Sequence, residues 1–117
     1  MKILLMNIHG LGIQNKKMSL IHIIDIDKFD ILLLQETMER GDTLVDELRN
    51  SLMGWDFLDM EYNGAFGGII YGWTQIFELI NYYVTFSSVF MVLFNKNLGY
   101  SLTLMNMYKP YEGIHNF

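Results

Sequence analysis

The chain has no cysteine among its 117 residues. Disulfides and thiolate-held zinc are therefore excluded, and the composition fits a reducing compartment without requiring one. Basic residues are also scarce: 8 Lys and Arg against 13 Asp and Glu, a formal net charge of −5. No basic surface for non-specific nucleic-acid binding can be assembled from that balance. A partner carrying phosphates would have to be held by a local site or by a metal. There is no long charge-free apolar helix either. The best candidate, Leu79 to Phe94, contains Asn81, Thr85, Ser87 and Ser88 and falls short of the roughly 20 residues that span a bilayer. The expectation is no membrane segment. The N-terminal run Met1-Lys2-Ile3-Leu4-Leu5-Met6 is interrupted by Asn7, His9 and glycines too early for a signal peptide. Internal repeats and low-complexity segments are missing. So is any Ser-His-Asp or Cys-His arrangement. His9, His22 and His115 lack metal-ligand spacing, and Gly10-Leu11-Gly12 is not a phosphate loop.

What is abundant is apolar surface. The hydrophobic fraction is 51% and the mean hydropathy +0.20, against an average apolar usage of about 45–50%. A domain of this length buries roughly two-thirds of its unfolded surface. Part of the apolar content is thus available for contacts outside the chain.

Periodicity divides the chain into elements. Lys2 to Ile8 reads as a short buried strand, broken by Gly10 and Gly12. Asn15 to Asp27 reads as a helix, with Met18, Ile21 and Ile24 at three-residue spacing and Leu20 and Ile24 at four. His22 is expected to pack within it, and Asp25 and Asp27 to form its solvated end. Phe29 to Gln35 is a second buried strand, entered through Asp30. Gly41-Asp42 offers an N-cap to a helix from about Thr43 to Leu52, with Leu44, Leu48 and Leu52 as its buried stripe and Gly54 as its stop. Beyond Gly54 the pattern becomes β-rich. Trp55 to Met60, Gly68 to Trp73, Gln75 to Tyr83, Thr85 to Phe94 and Tyr100 to Met107 read as strands. Turns fall at Asn63-Gly64 and Asn95 to Gly99. Two β-α units followed by a β-meander predict an α/β or α+β fold with a mixed sheet.

Alternation places the polar residues. Ile3, Leu5 and Asn7 share one face of their strand. Leu32, Leu34 and Glu36 share one face of theirs, and Tyr100, Leu102, Leu104, Asn106 and Tyr108 one face of the last. Each apolar face finishes in a polar residue at the strand's C-terminal end, which predicts a common polar site above a common core. Glu36 suits a hard cation such as magnesium, and reads equally as a solvated carboxylate at a strand end. Asn7 could position a metal-bound water or a phosphate oxygen, or form a turn before Gly10. Tyr108 could donate to a phosphate oxygen, or be an ordinary half-buried strand tyrosine. Asn106 could orient its neighbours or cap a turn. Gly67-Gly68 would permit close backbone approach, or mark a turn.

Together these motifs resemble the N-terminal portion of an endonuclease/exonuclease/phosphatase domain, in the form found in plant non-LTR retrotransposons. Met1-Lys2-Ile3-Leu4-Leu5-Met6-Asn7-Ile8-His9-Gly10-Leu11-Gly12 is similar to that family's opening Met-Lys-Ile-Leu-x-Trp-Asn-x-Arg-Gly-Leu-Gly. Phe29-Asp30-Ile31-Leu32-Leu33-Leu34-Gln35-Glu36-Thr37 resembles Pro-Asp-Ile-Leu-x-Leu-Gln-Glu-Thr. Ala65-Phe66-Gly67-Gly68-Ile69 stands where Ser-Arg-Gly-Gly-Ile is usual, and Asn106-Met107-Tyr108-Lys109-Pro110 resembles Asn-Val-Tyr-Gly-Pro. The resemblance runs from residue 1 to about residue 112 and treats 1–117 as the N-terminal part of the domain.

The resemblance implies a partial two-sheet α/β sandwich, a mixed sheet with flanking helices in truncated form. It implies magnesium-dependent hydrolysis of phosphodiester bonds in DNA. Glu36 would be the metal ligand, with Asn7 supporting the metal and phosphate. Tyr108 would contact the scissile phosphate, with Asn106 beside it. The family continues with Gly-Asp-x-Asn and Ser-Asp-His motifs that do not occur here, and Phe66 replaces a cation. The expectation is a fragment inactive by itself. The alternative is a non-catalytic remnant acting as an interaction module through exposed apolar surface. Half of a two-sheet sandwich leaves a sheet face uncovered, so self-association or poor solubility is expected.

Overall fold

The computed structural model describes residues 1–7, 14–35, 41–60, 68–85 and 88–107. Its elements run β1 (Ile3–Asn7), α1 (Gln14–Asp27), β2 (Ile31–Gln35), α2 (Gly41–Ser51), β3 (Trp55–Met60), β4 (Ile69–Thr74), β5 (Phe77–Val84), β6 (Ser88–Asn95) and β7 (Tyr100–Met107). The chain divides into two compact units, Met1–Gln75 and Ile76–Phe117.

The first unit is a four-stranded mixed sheet in the order β1-β2-β4-β3. β1 runs parallel to β2, and the other pairings are antiparallel. β2 lies inside the sheet, and Ile31, Leu32, Leu33 and Leu34 are all buried. Its unbroken apolar run is what a strand covered on both faces requires. One face of the sheet carries the helices. Leu32, Leu34, Phe57 and Ile70 from the strands pack there with Leu20 and Ile24 of α1, and with Val45, Leu48 and Leu52 of and just after α2. Leu4 and Met6 of β1 border this cluster. The other face presents Ile31, Leu33, Ile69, Tyr71 and Trp73, which are buried as well.

Gly72 sits between Leu32 and Phe57 in register. A Cβ at Gly72 would lie 2.8 Å from Cε1 of Phe57 and 3.4 Å from Cε3 of Trp55. The Phe57 ring, stacked beside Trp55, therefore occupies the space above the glycine. Lys17 of α1, nearly buried, ties the two helices together. Its Nζ donates to Oε1 and Oε2 of Glu47 at 3.0 and 2.9 Å.

The helices follow the sequence pattern with corrections. Leu20, Ile24, Leu48 and Leu52 are buried as expected. Met18 is 62% exposed, and His22 is exposed too. At 100° per residue both project away from the Leu20–Ile24 side. α2 begins at Gly41 rather than Thr43, and the Leu44 side chain lies outside the described residues. Gly54 follows the helix end with φ +80, as the expected stop requires. The Asn63-Gly64 turn lies outside the described residues.

The expected meander is divided between two sheets. β3 and β4 complete the first, while β5, β6 and β7 form a separate three-stranded antiparallel sheet in that order. The apolar stretch weighed as a membrane span is shared between strands β5 and β6. Among the described residues no helix is long and apolar enough to cross a membrane. β5 bulges between Leu79 and Asn81. The turn from 95 to 99 is built as the sequence suggests. Oδ1 of Asn95 accepts from the N–H groups of Asn97 and Leu98, and Gly99 takes φ +76.

Two stability predictions follow from this geometry. Gly72→Ala should destabilise the chain by about 1–3 kcal/mol through overpacking against Phe57. Urea unfolding would check this, and the loss should shrink when Phe57→Leu is added. Lys28 ends α1 in the left-handed region at φ 56. Its ion pair with Asp25 is long and exposed, at 3.9 Å, and contributes little. Lys28→Gly should therefore raise stability by about 0.5–1 kcal/mol, the relief of strain less the added chain entropy. An unchanged or lower unfolding midpoint would refute that.

Candidate functional site

The site is built from the ends of strands. β1 and β2 run in parallel with Asn7 opposite Gln35, the last residue of each strand. β4 runs the other way and begins beside them, with Ile69 opposite Gln35 on one side and Met60 on the other. One rim of the sheet therefore collects Asn7, Gln35, Ile69 and Met60. Glu36 follows Gln35 in sequence, and Gly67-Gly68 precedes Ile69. Three of the four motifs thus converge on this rim through strand order and register.

The register is clamped at the opposite ends of the same strands. The Lys2 N–H donates to Oδ2 of Asp30 at 2.9 Å, and the Asp30 N–H donates to the Lys2 carbonyl at 2.8 Å. Asp30 thus fixes where β2 starts against β1, and five residues later the two strands end level with each other.

The arrangement of faces differs from the reading by alternation. Leu5 pairs with Leu33, so Ile3 and Leu5 share a face with Ile31 and Leu33. Leu32 and Leu34 lie on the opposite, helix-bearing face with Leu4 and Met6. The apolar sets ending at Asn7 and at Glu36 belong to two faces of one sheet, so there is no common core beneath them. What Asn7 and the β2 motif share is the rim. Edge strand β1 shows the consequence: Leu5 is 62% exposed.

The fourth motif belongs to the second unit. On β7, Ser101, Thr103 and Met105 are exposed, Leu102 and Leu104 are half-buried, and Asn106 is buried. Alternation holds through Asn106, which lies opposite Val89. Asn106 thus ends the face that also carries Val89, Met91 and Leu93, all buried. Glu36, Gly67 and Tyr108 lie outside the described residues, as does the side chain of Asn7. Among the described residues no group of three or more His, Asp or Glu could hold a metal. The sequence reading passed over the Lys17–Glu47 pair, whose lysine is buried while the glutamate stays partly exposed. Lysine at 17 and glutamate at 47 carry no local sign of burial, since their pairing depends on how α1 meets α2.

The chain matches no protein-family model, and no curated protein matches it in sequence. Solved structures do resemble it. The human Nocturnin catalytic domain with bound sulfate anion matches with a TM-score of 0.68 at 19% identity, over 88% of this chain and 47% of that one. AP endonuclease LMAP from Leishmania major matches with 0.66 at 16% identity, over 95% and 40%. Truncated Caenorhabditis elegans TDP2 matches with 0.64 at 18% identity, over 91% and 43%. The chain thus spans less than half the length of each. All three are endonuclease/exonuclease/phosphatase-fold proteins, and at these identities the likeness establishes the fold. The chain has an α/β fold of the endonuclease/exonuclease/phosphatase kind, in partial form.

Proposed function

We propose that this chain is the N-terminal part of a magnesium-dependent phosphodiesterase acting on DNA, of the plant non-LTR retrotransposon type, and that it is inactive by itself. The observation that carries the reading is the rim, where Asn7, the end of β2 before Glu36 and the start of β4 after Gly67-Gly68 are adjacent. A nuclease is supported by the AP endonuclease among the similar structures. An oxyanion site is supported by the sulfate bound in the Nocturnin domain.

The donors fit magnesium chemically. Glu36 brings a carboxylate and Asn7 an amide oxygen, and magnesium takes one or two carboxylates while keeping several waters. Glu36 would hold the ion and Asn7 support it. Bound there, the ion supplies positive charge against the phosphate oxygens. Tyr108 would donate a hydrogen bond from its hydroxyl to a phosphate oxygen. Asn106, buried two residues earlier, orients the strand end that bears it. Of these four groups only Glu36 is a base, and as the ion's ligand it would not be free to take a proton from water. The nucleophile is left unactivated, and each absent preorganised group lowers the rate by about a hundredfold or more.

A second reading, an interaction module without catalysis, is favoured by the outward side of α1. Met18, Ile23 and Ile26 are exposed there, Ile26 at 59%.

Amide NMR with magnesium, and plasmid nicking, test the first reading. Magnesium should shift the amide signals of Asn7, Gln35 and Ile69, weakly, on the order of millimolar, and Glu36→Gln should abolish those shifts. Shifts confined to other residues would remove the metal assignment. Supercoiled plasmid with magnesium should stay intact, and nicking that Glu36→Gln abolishes would overturn the inactive reading.

A further inference from the structure

Two connections carry the chain from the rim to the helices. Residues 8–13 join β1 to α1, and residues 36–40 join β2 to α2. β1 and β2 run parallel and end level, so both helices are entered from the rim. Lys17 is the fourth residue of α1 and Glu47 the seventh of α2. At a rise of about 1.5 Å per residue, they stand roughly 4.5 and 9 Å along their helices. Nζ of Lys17 reaches Oε1 and Oε2 of Glu47 at 3.0 and 2.9 Å. The pair therefore joins α1 to α2 in their first two turns, on the side where the rim connections deliver the chain.

Burial is uneven across the pair. The Lys17 side chain is 9% exposed and the Glu47 side chain 40%. Lys17 also lies on the apolar side of α1, one and two turns before the buried Leu20 and Ile24. Stability does not call for lysine there. Desolvating its ammonium offsets much of the attraction to Glu47, and an apolar side chain of similar length would stabilise as well or better. An apolar contact is non-directional, however. Two hydrogen bonds from one ammonium to one carboxylate fix both the distance between the helices and their rotation. We infer that Lys17 and Glu47 are positioning residues of the rim, setting the spacing of the two helices on which its connections end. The demand is greatest at β1, which is bonded to β2 alone among the described strands. Asn7 stands just before one connection, and Glu36 opens the other. The effect on the rim rests on this geometry, while the effect on a bound ion rests on the magnesium reading. Cutting the tie therefore loosens the rim and weakens magnesium while leaving the fold intact.

The test uses the full chain and separates position from stability. Lys17→Met leaves no charge buried, since Glu47 stays partly exposed, so its urea midpoint should equal or exceed that of the parent. Without any metal, the amide signals of Asn7 and Gln35 should shift and broaden by exchange on the microsecond-to-millisecond scale. With magnesium, its dissociation constant should rise about threefold or more. Gly72→Ala is the control for stability: its midpoint should fall while the rim signals and the magnesium affinity stay as in the parent. Glu47→Gln keeps a neutral acceptor for Lys17 and should produce the same changes to a smaller extent; it carries the test should Lys17→Met not fold. Unmoved rim signals in the metal-free variants overturn the inference, and so does an unchanged dissociation constant. A midpoint in Lys17→Met that falls as far as in Gly72→Ala, with equal changes at the rim in both, overturns it too, since the pair would then act through stability alone. A parent whose rim amides ignore magnesium removes the metal reading, and the metal-free signals still judge the tie.

Discussion

The pairing of β2 is the constraint on which the first unit depends. β2 bonds to β1 in parallel and to β4 antiparallel, and four of its five residues are buried. A slip of one residue would exchange Leu32 and Leu34 with Ile31 and Leu33 between faces. Both sets are apolar, so hydrophobicity alone would resist such a slip only weakly. The clamp between Lys2 and Asp30 supplies what the side-chain pattern cannot. Two short hydrogen bonds at one end set the count of residues, and at the other end Asn7 and Gln35 finish level. The rim exists because the opposite end is pinned.

Packing over the helix face is equally specific. Each fully buried leucine or isoleucine there contributes roughly 1.5–3 kcal/mol relative to exposure. Such side chains recur across Leu32, Leu34, Leu48 and Ile70. Burying Lys17 is a different matter, because desolvating the lysine offsets much of its attraction to the partly exposed Glu47. Its geometry ties α1 to α2 through two bonds from one ammonium. Stability therefore comes from the apolar cluster, and the ion pair fixes how the two helices meet. Gly72 adds a steric condition, since a side chain there would run into the Phe57 ring.

Much of the fold was legible because particular segments admit one reading. Ile31 to Leu34 could only be a buried strand or a buried helical turn, and its brevity decided for the strand. β7 alternates cleanly because one of its faces is exposed, so the inward position of Asn106 could be read directly. β2 could not be read that way. With apolar residues on both faces, alternation predicts no preferred side, and the face shared with Leu5 emerged only from the parallel register. Met18 misled because α1 has apolar residues nearly all round, so three-residue spacing also fitted its exposed side. The change of sheet between β4 and β5 leaves no trace in local sequence, since two residues can join strands of one sheet or of two.

The candidate site shows the same division between what local pattern carries and what pairing creates. Asn7, Glu36 and Gly68 could each be picked out as residues at the end of an apolar run. Their adjacency could not, because it depends on β4 entering beside β2 in reverse and on β1 ending level with it. β2 and β4 are held on both sides, so Gln35 and Ile69 at their ends move little, while β1 with Asn7 is bonded to β2 alone among the described strands. Under the proposed function, positioning is the part of phosphodiester chemistry that this rim would supply. On the same proposal, proton transfer is the part left unsupplied, because the Asn7 amide orients but does not activate water and Glu36 would be engaged with the cation. Such a rim would then, under the proposed function, bind a phosphate and a cation more readily than it would react.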